Sequence, residues 1–590
     1  MSLQKKITAA MLALGLCSML GACGTQYTNT TETTEENRFV SQDVENADTG
    51  ETKTITDKQT LYENQDPSSV ITMYLTVSEG NASDHTDHTW TEVNSYSMYD
   101  YEEMGEERYA VNGLLQVGDE NGPVEGETGY GQTTPNATVT IRGQSSSTAQ
   151  QKNYKIKLRD EKGTWNDQKV INLNKHVSDY TRFANKLNYD LMSELPGMMS
   201  LRTQFVHLYV KDTTAGGSGQ FRDYGLYTQV EQLNKRALKT HGLDQNGQLY
   251  KVNDFEFYRY EDTIRLKSDA DYDQEAFEQR LEIKGNDDHS KLIAMLDDVN
   301  DYSVPIQQIM EQWFDEDNLF SWMAYHILMG NVDTNARNCF LYSPLNSNTW
   351  YLLSWDNDGA FSDTRAQFSG EDRGWEKGIS NYWGNVLFRR ILLDDSMRDK
   401  LDQKIEEYRG ILTEEKLKSL IDTYAPVVET YAFAYPDAQY MPLTQSEYDR
   451  FLEMLPTETE RNYELYKESL TAPMPFFIGI PVSDGSKTDF IWDNSVDFQA
   501  EDITYTFELA TDYSFASPVV KEEGLTVPQY EYAAVLQPGQ YFIRVTAQNE
   551  SDQTQGAFDY YRSADGEKQS GIKCFFVSDD GTIQEDTYEQ

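Results

Sequence analysis

Hydrophobic periodicity changes along this chain, and the change limits what it can fold into. Through the first 231 residues the ordered apolar positions alternate with polar ones, over 70–77, 137–141, 154–158, 205–210 and 224–231. A period of two puts every second side chain on one face and predicts strands. From about residue 288 the apolar positions recur three and four apart, over 291–299, 305–313, 317–329, 385–394, 396–410, 414–432 and 458–469. That spacing gives one apolar stripe along a helix. A single helix, over 178–195, interrupts the strand-rich half, and the stretch up to about residue 135 reads as polar loop. Beyond Pro473 short apolar runs return at 476–480, 504–509, 532–536, 541–547 and 573–577. Segregated strands and helices predict an α+β architecture, with a strand-rich lobe, a helical lobe and a small all-β module.

The expected layout has four parts: 1–22 a lipoprotein signal peptide, 23–68 a disordered tether, 69–472 the α+β domain, and 473–590 a β-sandwich. The last resembles fibronectin type III or immunoglobulin-like modules and has no catalytic cluster. Lys5 and Lys6 precede an apolar stretch over 7–20, too short to cross a bilayer comfortably. It ends in Leu20-Gly21-Ala22-Cys23, similar to the lipobox of bacterial lipoproteins. The alternative is an ordinary cleaved signal with a chance cysteine, but polar, Thr-rich sequence starts directly after Cys23. The expectation is an exported chain, lipid-anchored through Cys23 to the outer face of the bacterial cell membrane. Residues 24–68 hold few large apolar groups and read as a spacer reaching tens of ångströms.

Charge narrows the partners. A net charge of −48 repels nucleic acid and anionic head groups, so neither is expected to bind the folded part. The 39 tyrosines suit a folded protein in carbohydrate-rich or extracellular surroundings. Cys339 and Cys574 fall in different predicted domains, so no disulfide is expected, and no Cys/His spacing suggests zinc.

The residues that suggest chemistry cluster after the predicted helix 317–329. Asp333 and Asn338 lie in Gly330-Asn331-Val332-Asp333-Thr334-Asn335-Ala336-Arg337-Asn338; a short hairpin then leads to Trp355-Asp356-Asn357-Asp358. Protein kinases use this order: an Asp that receives the acceptor hydroxyl proton, an Asn five residues on, and a second Asp past a hairpin to hold magnesium. Here 338 − 333 = 5 and 356 − 333 = 23. Oxygen ligands suit a hard divalent ion that takes its remaining ligands from phosphate and water. An Asp and an Asn five apart in a loop are also ordinary turn formers.

Together these residues resemble the signature of the CotH family, the spore-coat protein H kinases. Arg142-Gly143-Gln144-Ser145-Ser146 leading to Lys152-Asn153-Tyr154-Lys155-Ile156-Lys157 is similar to a second family signature, and Gly225-Leu226-Tyr227 to Glu231 to a third. The resemblance covers about residues 69–470. It implies an atypical two-lobed, protein-kinase-like domain that uses ATP and Mg2+ or Mn2+ to phosphorylate Ser or Thr of exported or surface proteins. In that reading Asp333 is the catalytic carboxylate, while Asn338 and Asp356 hold the metal with help from Asp358. Arg142, Ser145 and Ser146 face the phosphates, Lys152 or Lys157 replaces the kinase strand lysine, and Trp350 stacks on adenine. Asp190, Glu194 and Glu231 compete as the acidic partner of that lysine. Gln151 departs from the pattern, standing where relatives carry a second lysine.

Two other functions compete. A non-catalytic surface scaffold would use the β-sandwich to dock a protein or polysaccharide. A carbohydrate-active enzyme could use Asp333 and Asp356 as its two carboxylates, but leaves Asn338 and the Arg142 segment unexplained.

Overall fold

The computed structural model of the protein describes residues 55–586, apart from 64 and 565. The signal peptide, Cys23 and most of the expected tether lie outside the described residues. Eight strands build the first sheet: β1 (Val70–Ser78), β2 (Val111–Asp119), β3 (Gly122–Pro123), β4 (Ala137–Arg142), β5 (Asn153–Leu158), β6 (Val170–Asn174), β7 (Thr203–Asp212) and β8 (Phe221–Glu231). The order β1-β7-β8-β6-β5-β4-β2 returns to β1, which runs parallel to β7 and antiparallel to β2. Seven strands therefore close on themselves and leave few unpaired backbone groups at an edge.

Alternation sets the two faces of this ring. Val139, Ile141, Tyr154, Ile156 and Leu158 are buried in one apolar core, so Arg142, Lys155 and Lys157 point away from it. β2 lies where the sequence predicted loop. Its inward positions are Val111, Gly113, Leu115 and Val117, and the glycine masks the alternation. Gly113 is required there, because a Cβ would stand 2.7 Å from Val139 Cγ2.

The expected helix over 178–195 is shorter, Ala184–Met192. Asp179 accepts from the Thr181 amide at 2.8 Å and the Ala184 amide at 2.8 Å, folding the preceding residues into a turn. A second sheet has the order β10-β9-β11-β12, formed by β9 (Gln248–Val252), β10 (Leu281–Ile283), β11 (Cys339–Ser343) and β12 (Tyr351–Ser354). It stands against helical packing centred on Glu316–Leu328, a helix buried on every side from Asn318 onward.

The C-terminal strands form a two-stranded sheet, Tyr560–Arg562 with Lys568–Ser570, and two larger ones. Val482–Ser483, Thr488–Ile491 and Gln529–Tyr532 make one; Thr504–Ala510, Gly539–Gln548 and Ile572–Val577 are central to the other. Phe490, Trp492, Phe507, Tyr530 and Phe575 share one core. In place of the strand predicted over 476–480 there is one bridge, Ile478 to Trp492. The Ile478 amide donates instead to the Asp559 carboxylate at 2.8 Å. The strand predicted over 532–536 ends at Tyr532.

Order begins earlier than the sequence suggested. Ile55 and Asp57 are buried, and Asp57 joins an ionic cluster that a polar composition conceals. His241 Nδ1 lies 2.6 Å from Asp57 Oδ1 and its Nε2 3.0 Å from Glu231 Oε2, while Arg202 forks onto Glu231 at 2.5 and 3.0 Å. Tyr62 donates to the other Asp57 oxygen at 2.6 Å.

Burial alone would lower the His241 pKa, but the two carboxylates outweigh it and push it from 6.5 to about 9. A proton held more tightly in the folded state stabilises fully below pH 6.5, and that contribution is lost as pH rises through 9. It is worth on the order of 3 kcal/mol. The melting temperature is expected to fall between pH 7 and pH 9.5, with a much smaller slope in His241→Gln; equal slopes in the two proteins would contradict this.

Candidate active site

The hairpin β11–β12 delivers the central residues. Cys339 pairs with Ser354, and one step beyond, the Trp355 amide donates to the Asn338 carbonyl at 3.2 Å. Asn338 and Asp356 thus leave the same end of the hairpin. Both sit in the left-handed region, at φ +55° and +56°. Non-glycine residues held there cost free energy and cluster at functional sites. The Asn338 amide donates to Asp333 Oδ2 at 2.7 Å, bringing the two loop residues together.

Several elements fix this end of the hairpin. Asn185 and Tyr189 lie one turn apart on the helix Ala184–Met192. The Asn185 amide donates to Asp356 Oδ1 at 3.2 Å, its oxygen accepts the Asn357 amide at 3.1 Å, and the Tyr189 hydroxyl accepts the Asp356 amide at 3.3 Å. Further on, the wholly buried Glu458 accepts the Asp363 and Thr364 amides at 3.2 and 2.9 Å, which anchors the first turn of the helix Ser362–Ser369. Arg461 at 3.0 Å balances its charge. None of these supports was read from sequence.

The two sides of the cleft differ in charge. Asp333 keeps 53% of its side chain accessible, yet its surroundings are dense enough that burial raises its pKa, with Arg337 opposing and Asp358 adding to the rise. Burial, with the neighbouring Asp358 charge, pushes Asp356 up to about 6. Asp358 goes the other way: burial would raise it, but His176, at 3.6 Å, and the Arg365 and Arg142 charges hold it below the ordinary range.

Facing them, Arg142 is bonded to Asn174 and lowered first by burial, and it lies in the field of Asp356 without an ion-pair contact. Burial also lowers Lys155, and the nearby cations Lys284, Arg108 and Arg142 lower it further, against Glu282. Lys251 on β9 is lowered first by burial; it shares Glu282, Lys284 and Arg142 with Lys155 as neighbours and also lies in the field of Asp356. Arg142 on β4, Lys155 on β5 and Lys251 on β9, with Arg108 and Lys284 from adjoining loops, thus lie in one another's field; Lys284 pairs with Glu282, and Arg142 and Lys251 also feel Asp356.

The sequence reading of these walls needs three corrections. Lys152 is buried and its ammonium donates to the Ser147 carbonyl at 2.5 Å, so it holds the turn rather than facing the cleft. Lys157 shares the outward face, but the lysine among the clustered cations is Lys155. Trp350 is 1% exposed; its amide donates to the Trp313 carbonyl at 2.6 Å and its ring lies in the helical core, closed to any ligand. Ser145 is exposed on the turn, while Ser146 accepts the Asn153 amide at 3.1 Å. The competing acids are committed elsewhere: Asp190 to Lys186 at 2.9 Å, Glu194 to Lys416 at 2.6 Å, and Glu231 to Arg202 and His241. Among the described residues no three His, Cys, Asp or Glu side chains form a metal cage. Asp356 and Asp358 repel each other and, with the Asn338 carboxamide at the same end of the hairpin, offer instead a sparse oxygen set that fits a hard divalent cation also binding phosphate.

Comparison with known proteins bears on this site. The family described as CotH kinase protein matches residues 139–466, more than half of the chain. A search among curated proteins finds no match. Among solved structures, the proinflammatory kinase CtkA of Helicobacter pylori aligns at 11% identity, TM-score 0.27, over 54% of this chain and 94% of that one. HipA of Shewanella oneidensis MR-1, in its complex with HipB and operator DNA, aligns at 12% identity, TM-score 0.22, over 50% and 60%. Likeness this slight carries no argument about function.

The charge arrangement predicts anion binding at Lys155. Titration with pyrophosphate should show about tenfold weaker binding in Lys155→Met, the loss of one charge-assisted contact. Trp350→Phe should bind as the wild type does while melting at a lower temperature. Weakened binding in Trp350→Phe with unchanged binding in Lys155→Met would contradict the placement.

Proposed function

The chain belongs to the CotH kinase family, and from that premise we propose that it is an ATP-dependent protein kinase acting on Ser or Thr of exported or surface proteins. The observation that carries this reading is the placing of Arg142 and Lys251 beside Asp356, with Lys155, Arg108 and Lys284 close to those two cations, in a chain of net charge −48. Cations crowded against one another are costly unless an anion joins them, and a triphosphate is the anion of that size and charge.

In this mechanism Arg142 and Lys155 hold the phosphate oxygens and draw negative charge off the transferring group. Asp333 orients the acceptor hydroxyl and takes its proton as the new oxygen–phosphorus bond forms and the bond to the leaving phosphate oxygen breaks. Its raised pKa suits a proton acceptor. Asn338, Asp356 and Asp358 would hold Mg2+ or Mn2+, which when bound supplies neutralisation of the phosphate charge. Asn185 and Tyr189 keep Asp356 aimed at the cleft.

The proposal extends to location. Cys23 would carry the lipid, the chain would work outside the cytoplasm, and the C-terminal sheets would form a fibronectin- or immunoglobulin-like sandwich. Labelling with radioactive palmitate in wild type but not in Cys23→Ser tests the anchor.

Activity is tested by transfer of label from [γ-32P]ATP to the chain itself or to a surface protein, in magnesium and in manganese. Asp333→Ala and Asp356→Ala are each expected to lose at least about 100-fold in rate. If wild type and both variants transfer equally little, the enzyme reading fails and the scaffold reading replaces it.

A further inference from the structure

Two groups of contacts meet on one segment downstream of Asp356. The helix Ser362–Ser369 runs into residues 370–379, followed by a turn over 380–385. That turn grips the loop carrying Asp333 on both sides. Asn381 donates to the Val332 carbonyl at 3.1 Å, the Tyr382 and Thr334 hydroxyls are 3.3 Å apart, and Asn385 donates to the Asn335 carbonyl at 2.9 Å.

The same segment is held from the other side by the C-terminal sheets. The Trp375 indole donates to the Phe558 carbonyl at 3.1 Å, with the two rings 4.9 Å apart edge to face. Lys568 pairs with Glu376 at 2.6 Å and lies over the Trp375 ring at 5.5 Å. At Gly374, with φ +56°, an added Cβ would stand 2.8 Å from Ser570 Cβ, so the Gly374 backbone meets the Ser570 side chain closely. Phe558 also reaches the turn itself, 3.6 Å from where a Gly384 Cβ would be, and it packs into the core of the helical lobe. Asp559, next in sequence, is fixed by Lys573 at 3.1 Å and by the Ile478 amide.

A spacer or a free docking module would need none of this. We propose that the C-terminal module is a working part of the active site, and that Phe558 and Lys568 are positioning residues that set the Asp333 loop through residues 374–385. The proposal rests on the reading of Asp333 as the catalytic carboxylate, but the contacts it invokes do not. Small displacements of a catalytic group by distant changes can cost two orders of magnitude in rate, so loosening one brace contact should be felt at Asp333. The cation-lined wall belongs to other elements and should not feel it.

The test uses the full chain with Lys568→Glu, which breaks the pair with Glu376 at a partly exposed site, and Lys568→Arg, which keeps it. In labelled transfer, Lys568→Glu should lower kcat about tenfold with KM for ATP within twofold, and Lys568→Arg should restore most of the rate. Hydrogen–deuterium exchange of the peptide spanning 331–338 provides the readout independent of activity. It should quicken in Lys568→Glu and return in Lys568→Arg. Unchanged exchange in Lys568→Glu overturns the brace, as does equal loss of rate in both variants. If wild type transfers nothing while exchange responds as expected, the kinase reading fails and the brace stands.

Discussion

Charge held apart by the fold is the constraint on which this structure depends. Arg142 lies in the field of Asp356, yet the two make no salt bridge. Lys155, Lys251 and Arg108 crowd nearby, and among the described residues Lys284 is the clustered cation in direct ion-pair contact, with Glu282. Opposite charges free to move would collapse into pairs. Here the cations come from β4, β5, β9 and neighbouring segments, and the carboxylates from the end of a hairpin, so rigid sheets keep them separated. Under the proposed function, a site that holds charge in this way would be preorganised for a ligand bearing both signs, a polyphosphate together with its metal.

That separation depends on supports far from the cleft. Asn185 and Tyr189 reach Asp356 from one helix, and Glu458 reaches the next turn from another. Asn381 and Asn385 grip the Asp333 loop, and the C-terminal sheets hold the segment that carries them. Three of these supports, Asn185, Asn381 and Asn385, are carboxamides, which give direction without adding charge to a site already crowded with it.

How much of this was legible in the sequence depends on the range of each interaction. Asp333, Asn338 and Asp356 could be read because one helix end and one hairpin bring them together, and local order preserves spacing. The alternation of β5 correctly put Lys155 and Lys157 on one face, but which of them meets the other cations depends on β9 and β10, about a hundred residues away. Arg108, Lys251 and Lys284 escaped notice for the same reason. Trp350 was misread because its distance from Asp356 along the chain says nothing of its side chain's direction, which the bridge to Phe314 turns into the core. The ordered segment at Asp57 was hidden by composition, since a buried ionic cluster looks like polar linker until its partners are known. At the level of the fold, the segregation of strands and helices gave the α+β class, while closure of the first sheet arises from long-range pairing of β1 with β2 and β7.

The central claim is that this cleft binds a nucleoside triphosphate through its phosphates together with a divalent cation. Titration calorimetry with ATP, with and without magnesium, and with adenosine tests it most directly. The account predicts saturable ATP binding that strengthens at least about tenfold with magnesium, and little or no heat with adenosine, since the charged walls supply the affinity. Equal binding of adenosine and ATP, or no binding of ATP at millimolar concentration with magnesium present, would contradict it.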